Sequence, residues 1–144
     1  MKEANCPLCS GEAGEVLWRD GFCRVIWVED ADYPGFCRVI LDDHIREMTD
    51  LSAADRCRLM DVVFATEAVV RTLFEPDKIN LASLGNMVPH LHWHVIPRLA
   101  DDRHFPDAIW AQPRRAAGPR PVAKAALKAK LVALLGERLG LPRE

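Results

Sequence analysis

The run Asn86-Met87-Val88-Pro89-His90-Leu91-His92-Trp93-His94-Val95-Ile96-Pro97-Arg98 decides how this chain is read. Its central residues alternate between histidine and apolar side chains, and a period of two marks a strand rather than a helix. On a strand His90, His92 and His94 share one face, while Leu91, Trp93 and Val95 share the other and can anchor it in a core. Three imidazoles make a poor core face, because each ring carries nitrogens that need partners. That face is therefore read as chemistry or metal binding. Neutral imidazole is nucleophilic near pH 7 and suits attack on phosphorus. A central histidine flanked by two others can be held in one tautomer while a neighbour moves a proton. The same rings would also suit one hydrolytic metal ion with an open position. Against that, the Asp-His continuation common in such hydrolases is missing, and Val95-Ile96-Pro97 follows instead.

Working outward, residues 15–19 and 22–28 read as strands joined by Asp20-Gly21, a hairpin signal. An Asp-, Pro- and Gly-rich loop over 29–35 leads to a third strand over 36–41. Ser52 can cap a helix, with Asp55 reaching back. Leu59, Val62, Val63, Thr66, Val69, Val70 and Leu73 then recur at helical steps until Glu75-Pro76-Asp77 stops the segment. Residues 79–84 and 91–97 form a fourth and a fifth strand around Gly85-Asn86. Residues 100–120 read as a surface excursion, and 122–139 as a final helix ended by Gly140. This order predicts an α+β fold: an antiparallel sheet of about five strands, one long central helix and a C-terminal helix. One domain is expected over 1–144, with a cysteine-pair segment (1–14), a core (15–98) and a C-terminal loop and helix (99–144).

Composition narrows the function. The 144 residues are 49% apolar, and 19 basic side chains nearly balance 21 acidic ones. No basic run steers the chain toward nucleic acid or an anionic membrane. The first residues hold no apolar stretch of signal-peptide type, and no segment is long and apolar enough to span a bilayer. A cytoplasmic protein is expected. Five cysteines do not make a disulfide framework. Cys23, Cys37 and Cys57 lie among apolar residues and are expected to be buried. Cys6 and Cys9, in Cys6-Pro7-Leu8-Cys9, have the two-residue gap of a structural zinc pair.

The run His90-Leu91-His92-Trp93-His94-Val95-Ile96, continued by Pro97-Arg98, resembles the signature of the histidine triad family, and the likeness extends back to the cysteine pair. The resemblance implies an α+β homodimer in which two five-stranded sheets join. It implies hydrolysis or transfer of nucleoside monophosphates from dinucleoside polyphosphates or nucleoside phosphoramidates, through a nucleotidyl-histidine. Carried over by position, His92 is the nucleophile and His94 orients the phosphate. Asn86 replaces a glutamine that many members use to bind phosphate oxygens, and Asn80 matches an asparagine near the same site. Glu29 or Asp30 matches an acidic residue that binds the ribose hydroxyls. Two positions depart from the family. Gly35-Phe36 stands where many members have Gly-His, and Met87 stands where a hydroxyl residue contacts phosphate. Both favour, as an alternative, a nucleotide-binding regulator with little catalysis.

The resemblance also completes the cysteine pair. Zinc-containing members use a histidine after the third strand and the first triad histidine, here His44 and His90. Four protein ligands leave no open position, so the zinc would be structural. Arg98 is the arginine best placed to meet phosphate oxygens, ahead of Arg103, Arg114 and Arg115. His104 reads as a surface residue, and Trp27 and Trp93 as core. Trp110 could cover a base or a dimer partner.

Overall fold

The computed structural model describes residues 1–139, so Gly140 and its capping role lie outside the described residues. Five strands, β1 (Glu15–Arg19), β2 (Cys23–Trp27), β3 (Cys37–Leu41), β4 (Lys78–Ala82) and β5 (His92–Arg98), form one sheet in the order β1-β2-β3-β5-β4. Every pairing is antiparallel. Among the described residues three α-helices accompany it, a single turn α1 (Pro7–Ser10), the long α2 (Ala53–Phe74) and α3 (Lys124–Leu139), with a 3-10 turn at Met48–Asp50. No helix among the described residues is long and apolar enough to cross a membrane.

Local chemistry sets these elements. The Ser52 side chain accepts the Asp55 amide at 3.1 Å and caps α2, while Glu75 closes it in the left-handed region at φ 45°. Asp20 shapes the first hairpin by accepting the amides of Phe22 and Cys23 at 2.9 and 3.0 Å. β5 starts at His92, not Leu91. The backbone there turns toward Ile45, whose carbonyl accepts the Leu91 amide at 2.7 Å.

One sheet face holds the main core. Leu17, Val25, Val39 and Val95 pack there with Leu59, Val62, Val63, Val69 and Val70 of α2 and with Leu127, Leu131 and Leu135 of α3. Trp27 is buried in this core, and Trp93 packs against it from partial burial. Cys23 and Cys37 are buried as expected, and burial pushes the Cys37 thiol up to about 12. Cys57 is exposed on α2, contrary to expectation, because helical spacing turns it off the apolar stripe. The opposite face carries Arg24, Ile26, Arg38, Ile40, His92, His94, Ile96 and Arg98. Register puts Arg38 across from His94 and Ile40 across from His92. His92, His94 and Arg38 thus share this second face.

Candidate functional site

Two groups of side chains meet beside β5. The first is built by α1, where Cys6 precedes Pro7 and Cys9 follows three residues after Cys6, so one turn brings both sulfurs to one side. The Sγ atoms of Cys6 and Cys9 each lie 3.4 Å from His90 Nδ1, and Cys9 Sγ lies 3.5 Å from His44 Nδ1. All four ligand atoms fall within 4.8 Å of one another. His90 Nε2 lies 2.6 Å from the carbonyl of Leu41, which only accepts, so Nε2 carries the proton and Nδ1 presents its lone pair to the sulfurs. Arg24 fastens this segment to β2 by donating to the carbonyls of Leu8, Gly11 and Glu12. These residues are positioned to hold a metal ion.

The second group is His92 and His94, whose ring centroids lie 5.0 Å apart, edge to face. His92 Nδ1 is 2.5 Å from the carbonyl of His90. A carbonyl only accepts, so Nδ1 holds the proton and the Nε2 lone pair is left free. Burial lowers the pKa of His92, which keeps that lone pair available near pH 7. His94 Nδ1 accepts a long hydrogen bond, 3.4 Å, from Arg38 Nε. Burial, helped by the Arg38 charge and His92, pushes His94 down to about 4. Phe36 packs against His94 from one side, with centroids 5.8 Å apart, and Trp110 from another at 5.2 Å.

The three histidines therefore do not converge. His90 turns to the cysteines, while His92 and His94 stay on the sheet face, which is not the arrangement of one ion shared by three rings.

The other sequence-derived positions are placed as follows. Arg98 is buried at 2% exposure, with its donors committed to the protein. Nε and Nη2 grip Asp102 at 2.8 and 3.1 Å, Nη2 also donates to the Asp107 carbonyl at 2.7 Å, and Nη1 donates to Asn80 Oδ1 at 2.8 Å. The expected phosphate contact thus meets a guanidinium that closes the loop after β5, and Asn80 is its partner. Glu29 is held on the helix side of the sheet by Trp27 Nε1 at 3.1 Å and Lys124 at 3.4 Å, away from the histidines. Asp30 accepts the Asp32 amide within its own loop. Asn86 is exposed in the turn before the histidines, and Met87 beside it is 96% exposed. His104 is buried rather than on the surface. Its Nδ1 meets the Tyr33 hydroxyl at 2.7 Å, and that hydroxyl donates to Asp102 at 3.0 Å.

Arg38 escaped the sequence reading. Its signal was a charged residue inside the otherwise apolar strand Cys37-Arg38-Val39-Ile40-Leu41, on the parity that faces His94.

Comparison with known proteins agrees with this geometry. The HIT domain family profile matches residues 12–101. No curated protein matches the chain in sequence. Among solved structures, a histidine triad protein from Marinobacter aquaeolei VT8 is 31% identical, with a TM-score of 0.69 over 88% of this chain and 91% of that one. One from Sinorhizobium meliloti 1021 is 25% identical, TM-score 0.69, over 86% and 91%. The fold is shared with one from Bradyrhizobium japonicum at 24% identity, TM-score 0.69, over 83% and 92%.

Proposed function

The chain belongs to the HIT domain family, and from that premise we propose that it transfers a nucleoside monophosphate from a phosphoanhydride or phosphoramidate to His92 and then to water. The observation that carries this reading is the hydrogen bond from His92 Nδ1 to the His90 carbonyl, 2.5 Å, which leaves Nε2 as a fixed, neutral nucleophile. Nε2 attacks the α-phosphorus, a P–N bond forms, and the bond to the leaving group breaks with its electron pair departing on that group. Water then attacks the same phosphorus and gives up a proton to solvent. The P–N bond breaks, its pair returns to Nε2, and the nucleoside monophosphate leaves. His94, accepting at Nδ1, carries its proton on Nε2 and presents it to a phosphate or leaving-group oxygen. Asn86 and Asp30 are the polar groups we assign to the phosphate and ribose. Asn80 acts through Arg98, and Glu29 would need to leave Lys124 to reach a ribose.

We assign zinc to Cys6, Cys9, His44 and His90. Bonds of roughly 2.3 Å to sulfur and 2.0 Å to nitrogen at a tetrahedral angle place sulfur and nitrogen about 3.5 Å apart. Three of the four sulfur–nitrogen separations here are 3.4, 3.4 and 3.5 Å, and all four ligand atoms lie within 4.8 Å of one another. Bound there, the ion has a structural chemistry: it ties the N-terminal segment to the residue before β5. The edge strand β4 leaves one side of the sheet unpaired, which is compatible with the homodimer of the family; light scattering tests it.

The deciding experiment is intact-protein mass spectrometry after mixing with an adenosine phosphoramidate or diadenosine tetraphosphate, using wild type and His92→Ala. An acid-labile adduct of one AMP on wild type alone, with AMP released, is expected. Binding with neither adduct nor product would sink the enzyme reading and leave a nucleotide-binding regulator, with Phe36 and Met87 as the positions to revert.

A further inference from the structure

Arg24, Arg38 and Arg98 stand on the sheet face that carries the histidines, and they differ in what holds them. Arg24 gives its nitrogens to the carbonyls of Leu8, Gly11 and Glu12. Arg98 gives its nitrogens to Asp102, Asn80 and the Asp107 carbonyl. Among the described residues Arg38 meets neither a carboxylate nor a carbonyl. It is half-buried, and its one hydrogen bond among the described residues, 3.4 Å, goes to the ring of His94. Its guanidinium carbon sits 5.6 Å from the Phe36 ring centroid. Among the described residues it forms no ion pair, although Arg24 and Arg98 both do.

A partly desolvated cation without a counter-charge costs stability. Its place in the register says which anion would repay it. Arg38 lies directly across from His94, and Ile40, two residues on, lies across from His92. The guanidinium is thus one strand away from the phosphorus that His92 would attack. We propose that Arg38 is the phosphate-neutralising residue of this site, and that it suits the site to leaving groups departing as phosphate anions, the remaining phosphates of a nucleoside or dinucleoside polyphosphate, over amines. The inference rests on nucleotidyl transfer to His92.

The chemistry separates the two leaving groups. A phosphate chain departs with the electron pair of the broken P–O bond and needs no proton, and a fixed cation attracts the charge that develops on it. An amine departs well only if it is protonated as the P–N bond breaks. Arg38 beside His94 opposes a second positive charge on that ring, so it offers an amine nothing and an anion a planar, bidentate partner.

The test compares wild type, Arg38→Gln and Arg38→Lys in two measurements. In turnover, Arg38→Gln is expected to lower kcat/KM for diadenosine tetraphosphate about 100-fold and for an adenosine phosphoramidate less than about tenfold. Lysine, which keeps the charge without the fork, restores part of the loss. In calorimetry, Arg38→Gln is expected to weaken AMP about tenfold and to leave adenosine unchanged. Melting controls the fold, and removing an unpaired cation should leave the melting temperature level or raised. Equal losses on both substrates, or equal AMP affinity with and without Arg38, would overturn the proposal. A wild type that turns over neither substrate would sink the transfer reading and the leaving-group preference with it. The AMP and adenosine titrations then still decide whether Arg38 is an anion site.

Discussion

Replacing Asp102 by Asn exchanges a carboxylate oxygen for an amide nitrogen where every neighbour is a donor. Oδ2 accepts from Arg98 Nε at 2.8 Å and the Leu99 amide at 3.1 Å. Oδ1 accepts from Arg98 at 3.1 Å, the amides of His104 and Phe105 at 3.0 and 2.8 Å, and the Tyr33 hydroxyl at 3.0 Å. Whichever way the new amide flips, its NH2 confronts donors. The buried cation of Arg98 loses its counter-charge as well. Breaking a buried pair by neutralising one partner costs about 3–5 kcal/mol. For a chain of this size that lowers Tm by roughly 10–15 °C.

Urea unfolding at pH 7 reads the cost directly. A cycle with Arg98→Met isolates the pair, because the double variant should lose at least about 1 kcal/mol less than the sum of the singles. Acid gives a second check. Burial pushes the Asp102 carboxyl up, but the Arg98 guanidinium, the His104 and Leu99 amides and the Tyr33 hydroxyl outweigh it and hold it well below the usual carboxylate range. A folded pKa below the unfolded one gives stability that is complete above the unfolded pKa, about 3.9, and is lost as pH falls further. The stability curves of wild type and Asp102→Asn should therefore converge below about pH 4. A cost under about 1 kcal/mol, or strict additivity with Arg98→Met, would refute the reasoning and leave Arg98 free for another role.

Cys6→Ser is expected to abolish a metal stoichiometry of one per chain, read by native and elemental mass spectrometry, and to lower Tm; wild type isolated without metal would refute the cluster. His94, pushed down to about 4 by burial with Arg38 and His92 adding, should stay neutral at pH 6 in a histidine NMR titration. Because its folded pKa lies below the unfolded value of about 6.5, its contribution to stability is complete above that pH and declines as pH falls toward 4. Gly35→Ala should cost about 1–3 kcal/mol in thermal melting. Gly35 sits at φ +95°, and a Cβ there would lie 2.9 Å from the Phe74 ring.

The parts of the fold that were legible in the sequence are those set by local chemistry. The periodic stripe of α2, its Ser52 cap and the alternation along β5 need only a few neighbouring residues to be read. What escaped depends on contacts between distant segments. Residues 100–120 read as a polar excursion because the contacts of Tyr33 with Asp102 and His104 cross from one segment to another. Their charges look solvated until the chain is folded. Glu29 was matched through the register of a strand that ends at Trp27, and past a strand end parity no longer fixes direction. Arg24 and Arg38 were readable in principle. Each breaks an apolar strand at a position whose parity puts it on the histidine face.

His90 shows why the two groups of the site belong to one design. Its ring is fixed at both nitrogens, Nε2 to the Leu41 carbonyl at 2.6 Å and Nδ1 against two sulfurs at 3.4 Å. Its amide is tied to the Val88 carbonyl at 2.8 Å. The one group left over is its own carbonyl, and that carbonyl holds the proton of His92 Nδ1. An imidazole rotated by a few tens of degrees would lose this bond and could present either nitrogen to a phosphate. Fixing residue 90 therefore fixes which nitrogen of His92 is left with a free lone pair, the nitrogen that the proposed transfer would use. The cysteine pair is 83 residues distant in sequence (Cys9 to His92) and touches no reacting atom in this reading. On the proposed transfer it would act on His92 through one backbone oxygen, which gives a cluster beside β5 an influence that one at the far edge of the sheet would lack.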